Sequence, residues 1–267
     1  MYKKTVHIIS FFILWGFTIF MPCGCGGNIG EDVLKVGVRS DVINFGYYNE
    51  NTQKYYGMEI DLAQELAKRI GYDAADFIPV DPTDREQKLE GGEIDCLIAC
   101  YTITPQRQEK FDISSPYYED NTVIMVENSS MIDNARQLPG KKIGVLEGSS
   151  TAMQVTSRLF EQGIVTDYSE DSFDAAEYSG AITFCEMASY EELIAALEEG
   201  SIDAVSTDGC ILQQYKTEER HYVDIGITKQ SYGIALKKNS ALTTSIEEAL
   251  QDMYSDGSME ILVDKWE

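Results

Sequence analysis

The sequence predicts an α/β protein of two lobes. Three observations lead there. Strand-like and helix-like segments alternate, the alternation restarts near Lys141, and 267 residues exceed what one small core needs. In the first round, LKVGVR (34–39) reads as a buried strand. GMEIDLAQELAKRIG (57–71) reads as a helix, with Ile60, Leu62, Ala63, Leu66, Ala67 and Ile70 on one face and Gly71 as its stop. DFIPVD is a strand, TDREQKLEGG a short helix, DCLIAC a strand, and NTVIMVEN a long extended run.

The second round opens with KKIGVLEG (141–148), a strand and glycine turn, followed by SSTAMQVTSRLFEQG, a helix that starts on hydroxyl residues. AITFCEM, DAVSTDG and QSYGIALKKN read as strands, and YEELIAALEEG (190–200) and ILQQYKTEER as helices. The tail from Ser240 to Trp266 is helical with a break near Asp256 and Gly257. The expectation is parallel sheets covered by helices, with extended runs near 122–128 and 222–229 crossing between the lobes. Lobe 1 then spans 31–127 and 230–267, and lobe 2 spans 128–229. Residues 163–184 are acidic and turn-rich and read as a surface excursion.

The first residues read as a targeting segment and not as fold. Two lysines precede an apolar run over 8–21, a suitable length for a signal peptide and short for a membrane span. PCGCGG follows. A lipoprotein signal over 1–25 is expected, with Cys25 lipidated because Gly24 gives it a small preceding residue. Cys23, preceded by Pro22, is the weaker choice, and an ordinary cleaved secretion signal is the plainer alternative. Net charge is −24, so no basic stripe exists to neutralise phosphates, and nucleic acid is excluded as a default partner. The remaining cysteines, Cys96, Cys100, Cys185 and Cys210, have no CxxC spacing and read as small buried apolar residues. With His221 the sole histidine outside the signal, no metal and no cofactor is expected.

Several strand ends carry chemistry. LKVGVR ends in Arg39. DCLIAC runs into Thr102, Thr104 and Arg107. KKIGVLEG opens onto Ser149, Ser150 and Thr151 at a helix start, and DAVSTDG leads to Asp208. An arginine fork, hydroxyls and free helix N–H groups suit a carboxylate. Asp208 suits an ammonium. Ligands of open α/β sheets bind beyond the carboxyl ends of strands, so a small zwitterion in a cleft between lobes satisfies the whole set. Taken singly, each has a structural reading: hydroxyls as helix caps, Arg107 in a surface ion pair, Asp208 in a turn.

Five stretches in order, GMEIDLAQELAKRIG, GGEIDCLIACYTITPQRQEKFDISSPYYED, LPGKKIGVLEGSST, EELIAALEEGSIDAVSTDGCIL and SYGIALKKN, resemble the amino-acid-binding proteins of ABC importers, solute-binding family 3. The resemblance runs from about Leu34 to Trp266. It implies a two-lobed periplasmic-binding-protein type II fold that closes on its ligand. Arg107 and Thr102 would hold the α-carboxylate with help from Ser149 and Ser150, and Asp208 the α-amino group. Cys100 stands where many relatives have Gly, Ser or Thr.

VGVRSDVINFGYYN and PVDPTDREQKLEGGEID resemble the glutamate/aspartate branch. That places Arg39, Phe45 and Arg85 at the ligand, with Arg85 standing 22 residues before Arg107 and Tyr190 standing 18 before Asp208. Two further arginines call for a second ligand carboxylate, since a buried unpaired charge is costly. Ile43, Asn44, Asp81 and Pro82 depart from the branch pattern. If Asp81, Asp84 or Glu86 pairs with Arg85, glutamine or another neutral amino acid becomes the ligand.

The expected protein is a binding component and not an enzyme, since GxSxG, HExxH and phosphate-loop motifs are absent. Its partners would be a free amino acid, ABC permease subunits and, through a lipid anchor, the outer face of a bacterial cytoplasmic membrane. It would act as a monomer. A dehydratase on the same fold, using Glu147 or Glu186 as acid or base, and a detached amino-acid sensor are the other classes considered.

Overall fold

The computed structural model describes residues 32–226 and 228–266. The expected signal segment and Cys25 lie outside them. In the first half the elements are β1 Val33–Val38, β2 Asp41–Val42, β3 Gly46–Asn49, β4 Lys54–Tyr56, α1 Met58–Arg69, β5 Ala74–Pro79, α2 Arg85–Gly91, β6 Cys96–Leu97, α3 Pro105–Lys110 and β7 Phe111–Ile113. Next come β8 Tyr118–Glu127, β9 Lys142–Leu146, α4 Thr151–Glu161, β10 Thr183–Met187, α5 Tyr190–Glu198, β11 Ala204–Asp208 and α6 Gly209–Leu212. The chain finishes with β12 Arg220–Val223, β13 Lys229–Tyr232, β14 Ala235–Lys237, α7 Thr243–Ser255 and α8 Ser258–Trp266.

Two five-stranded paths organise the chain, in the orders β5-β1-β6-β14-β7 and β10-β9-β11-β8-β12, beside a small β2-β3-β4 hairpin sheet. The two-lobed α/β periplasmic-binding-protein fold is thus present. The sheets are mixed, where parallel ones were expected. β1 runs parallel to β5 and β6, but β14 is antiparallel to β6 and β7. In the second sheet, β9, β10 and β11 are parallel while β8 runs antiparallel to β11 and β12. The antiparallel strands flank the places where the chain passes from one sheet to the other, and antiparallel neighbours need no crossover helix.

Helices cover both faces of each sheet. Leu62, Ala63 and Leu66 of α1 pack with Val36 in one core, and Leu89 of α2 joins Leu97, Tyr101 and Phe111 in another. Val155 and Leu159 of α4 join Ile143 and Val145, while Leu193 and Leu197 of α5 close the opposite face. Each fully buried aliphatic side chain contributes about 1.5–3 kcal/mol, so these stripes fix which face each helix turns inward. α8 returns to α1, where Trp266 Nε1 donates to Asp61 at 2.8 Å.

Local departures from the expected pattern have identifiable causes. β6 stops at Leu97 because the chain turns at Cys100, whose φ is +46°. The one-face strand expected over Cys96–Cys100 is therefore not formed; both thiols are buried, and the four described cysteines are free. The helix expected over ILQQYKTEER ends in a 3-10 turn at Tyr215, and Arg220 begins a strand. There the register with β8 prevails, since Arg220 is buried between Glu127 at 2.8 Å and Glu198 at 2.6 Å. QSYGIALKKN is two strands, β13 paired to β8 and β14 to β6 and β7. β8 itself is shared: residues 118–121 pair with β13, and 122–127 with β11 and β12.

Candidate functional site

A small cavity of about 20 Å³ lies between the two sheets. Eight of the ten expected ligand residues line it: Arg39, Arg85, Cys100, Thr102, Ser149, Ser150, Tyr190 and Asp208. Their placement follows from local structure. Arg39 directly follows β1, Arg85 opens α2, Tyr190 opens α5 and Asp208 ends β11. Ser149 and Ser150 form the turn from β9 into α4, where Ser150 caps no amide with its side chain. At Gly148, φ is +71° and an added Cβ would stand 2.8 Å from the Pro82 carbonyl oxygen, so this turn approaches the first sheet's loop closely.

The two remaining expected residues stand elsewhere. Arg107 lines an adjoining groove with Glu86, Ser149 and Ser150. Its Nη1 donates to the Thr102 carbonyl at 2.9 Å, and its guanidinium lies 4.1 Å from the Tyr101 ring centroid. Phe45 is buried against Tyr118 and Tyr232 at ring separations of 5.0 and 6.1 Å, in a separate groove with Met58 and Trp266. Aromatic edge-to-face packing, which contributes about 0.5–1.5 kcal/mol per pair, draws Phe45 away from the cavity.

The three arginines differ in how they are satisfied. Arg39, 3 % exposed, makes a bidentate pair with Asp41 at 2.8 and 2.6 Å. Arg85 is equally buried, but among the described residues its Nη1 reaches only the Ala99 carbonyl at 3.0 Å and its Nε has no partner. Among the described residues no ion pair joins Arg85 to Asp81, Asp84 or Glu86: Asp84 pairs with Lys88, and Glu86 with Lys110 and, at 3.7 Å, Arg107. Burial, then the Arg107 and Arg39 charges, pulls Arg85 down to about 9, which leaves it charged at neutral pH. Tyr101, unassigned from sequence, steadies this pair of cations: its ring lies 4.9 Å from Arg85 and 4.1 Å from Arg107, and its hydroxyl donates to Glu86.

Asp208 is the opposing charge. Both carboxylate oxygens accept bonds, Oδ1 from Gln230 Nε2 and Oδ2 from the Tyr232 hydroxyl. Burial pushes its carboxyl up to about 6, against the pull of those two bonds. Glu59 was another residue passed over. It is fully buried; Oε1 accepts the Cys100 N–H at 2.6 Å and the Tyr117 hydroxyl, while Oε2 has no partner among the described residues. It thereby holds Cys100 in a left-handed conformation that favours glycine, ahead of Thr102. The acidic position in GMEIDLA was the available signal. Glu147 and Glu186 do not line the cavity, and His221 is tied to Asn128 and the Ile132 carbonyl.

The profile of the bacterial extracellular solute-binding proteins, family 3, matches residues 34–267. The chain belongs to that family. This family 3 protein is 28% identical to the ABC transporter glutamine-binding protein GlnH of Bacillus subtilis (strain 168), over 98% of this chain and 97% of the relative. It is 25% identical to the glutamate-binding protein GluB of Corynebacterium efficiens, over 97% of this chain and 89% of that one. An ancestral arginine-binding protein whose structure is bound to glutamine shares 30% identity and superposes with a TM-score of 0.71, covering 89% of this chain and 98% of its own. These relatives are named for different ligands, glutamine, glutamate and arginine.

Proposed function

We propose that this family 3 protein captures an acidic amino acid, glutamate or aspartate, for an ABC importer. The observation that carries the reading is Arg85, a buried guanidinium with no carboxylate partner among the described residues. Breaking or withholding a partner from a buried charge costs about 3–5 kcal/mol, and a ligand carboxylate beside Arg85 removes that penalty. Charges then balance. Arg107 with Thr102, Ser149 and Ser150 takes the α-carboxylate, Arg85 the side-chain carboxylate, and Asp208 the ammonium. Cys100 and Tyr190 form walls, and Arg39 acts through its pair with Asp41 in place of a direct ligand contact. Phe45 supports Tyr232 from behind.

Capture proceeds by hinge closure. The ligand bridges residues of both lobes, binds the closed state better, and shifts the population towards it. The hinge then lies at the paired segments 118–121 and 229–232, so the first lobe ends ahead of the expected 127/128 boundary, because residues 122–127 pair with β11 and β12 of the second sheet. An extracytoplasmic site, tethered through lipid on Cys25, and docking of the monomer on permease subunits complete the proposal.

Glutamine is the second reading, and the Arg39–Asp41 pair favours it, since one of the two arginines of the acidic-ligand branch is already neutralised. Calorimetric titration of the refolded chain from Gly26 against glutamate, aspartate, glutamine, arginine and cystine separates the two. Glutamate or aspartate should bind at least tenfold more tightly than glutamine. Equal or tighter glutamine binding overturns the acidic assignment, and silence across the set overturns the amino-acid reading.

A further inference from the structure

Gln230 belongs to β13, which pairs with β8 so that Gln230 faces Asp120 in register. The neighbouring Tyr232 bridges Thr102 through the backbone, and Ile103 N donates to the Ser231 carbonyl at 2.8 Å. This register sets the Gln230 side chain, 5 % exposed, between Thr102 and Asp208. Its Nε2 donates to Asp208 Oδ1, and its Oε1 accepts from the Thr102 hydroxyl at 3.1 Å. The orientation is chemically determined. An ionised carboxylate only accepts, so the amide NH2 must face Asp208, and the amide oxygen is left for the Thr102 hydroxyl.

The bridge has the polarity of an amino acid. A donor meets Asp208, where the ligand ammonium belongs, and an acceptor meets Thr102, where the ligand carboxylate belongs. We propose that Gln230 is a built-in competitor of the ligand, whose side-chain amide occupies these two contacts and must be displaced at each binding event. This rests on the assignment of Thr102 and Asp208 to an amino acid's carboxylate and ammonium. Only the fraction of molecules with the bridge broken is competent to bind, so the apparent dissociation constant rises as that fraction falls. Affinity is thereby held below what the charged groups alone would confer, and release is assisted when the amide returns.

The test is Gln230→Leu, similar in size and unable to bridge, with Gln230→Ala as a second variant and thermal melts to establish folding. With L-glutamate as probe, removal of the competitor should tighten binding by about tenfold, the scale of one charge-assisted hydrogen bond, through a faster association rate. A faster dissociation rate with weaker binding would instead make Gln230 a positioning residue for Asp208 and overturn the proposal. Small-angle X-ray scattering with no amino acid added gives a readout independent of ligand identity. Loss of the bridge should raise the radius of gyration. An unchanged radius in both folded variants overturns the bridge, whereas an increased radius with no glutamate binding even in the unsubstituted protein supports the bridge and overturns only the ligand assignment.

Discussion

The wall of the cleft built on the first sheet carries three arginines, and the wall built on the second carries one carboxylate, Asp208. Arg39, Arg85 and Asp208 are buried and Arg107 is nearly so, yet they are satisfied differently. Asp208 accepts bonds on both oxygens from Gln230 and Tyr232, residues of the strand that joins the lobes. Across from it, Arg39 is neutralised by Asp41, whereas Arg85 keeps an Nε unpartnered among the described residues and is held by the Ala99 carbonyl and the Tyr101 ring. The first wall therefore carries an unmet electrostatic demand, whereas under the proposal the second wall would first have to release its internal partners. Specificity is expected to come from the first wall and tuning of affinity from the second.

Removing Arg85 should break this contrast most sharply. Arg85→Met is expected to weaken glutamate binding by about a hundredfold or more, since hydrogen bonds to charged groups are worth about 1.5–3 kcal/mol each and a guanidinium offers two. The same variant should melt at a higher temperature, because an unpaired buried charge is replaced by an apolar chain of similar length. Calorimetry and a thermal melt check the two halves; a variant that binds unchanged and melts lower would make Arg85 a structural residue.

Next in size is Arg107→Ala, expected to lose one to two orders of magnitude in affinity for every amino acid tested, glutamine included, because the α-carboxylate is common to all. A loss confined to acidic ligands would exchange the roles of Arg85 and Arg107.

Acidity probes the second wall. Asp208, raised to about 6 by burial, would hold a ligand ammonium only when ionised. Affinity should therefore be level above about pH 6 and fall as pH drops through it, about tenfold for each unit below. For folding the sign is reversed. A carboxyl raised on folding opposes folding while ionised, so that cost is present at neutral pH and is relieved as pH falls from about 6 towards the ordinary aspartate range. Titrations at several pH values, with the Asp208→Asn variant as reference, read the effect directly.

The smallest effect is expected at the Arg39 pair. Asp41 is about one-third exposed, so solvent screens it, and Asp41→Asn should lower stability by about 1 kcal/mol while leaving Arg39 free to turn towards a ligand carboxylate. A modest gain in preference for glutamate over glutamine is the expected result, and an unchanged ratio in paired titrations would place Arg39 outside the recognition of side chains.

Much of the lining of the candidate site was legible because its residues occupy punctuated positions. Arg39 and Asp208 stand at strand ends, Arg85, Ser150 and Tyr190 at helix starts, and their ordering matches a family pattern. Gln230 and Tyr232 were not legible. QSYGIALKKN has the periodicity of an ordinary strand, and only the register of β13 on β8 aims those two side chains at Asp208. Phe45 illustrates the converse, a residue in a recognised motif whose ring is claimed by Tyr118 and Tyr232. Likewise, Arg220 sits in a helical pattern but is recruited into a strand by Glu127 and Glu198.

Periodicity and turn chemistry act over a few residues, so the amino-acid order alone determined two α/β rounds, the burial faces of the helices and the kinds of charge at the strand tips. Which of those charges already has a partner was decided by the tertiary structure. Coulombic and hydrogen-bond satisfaction depends on separations of about 3 Å between groups far apart in the chain, and those separations exist only once both sheets have packed around the cleft.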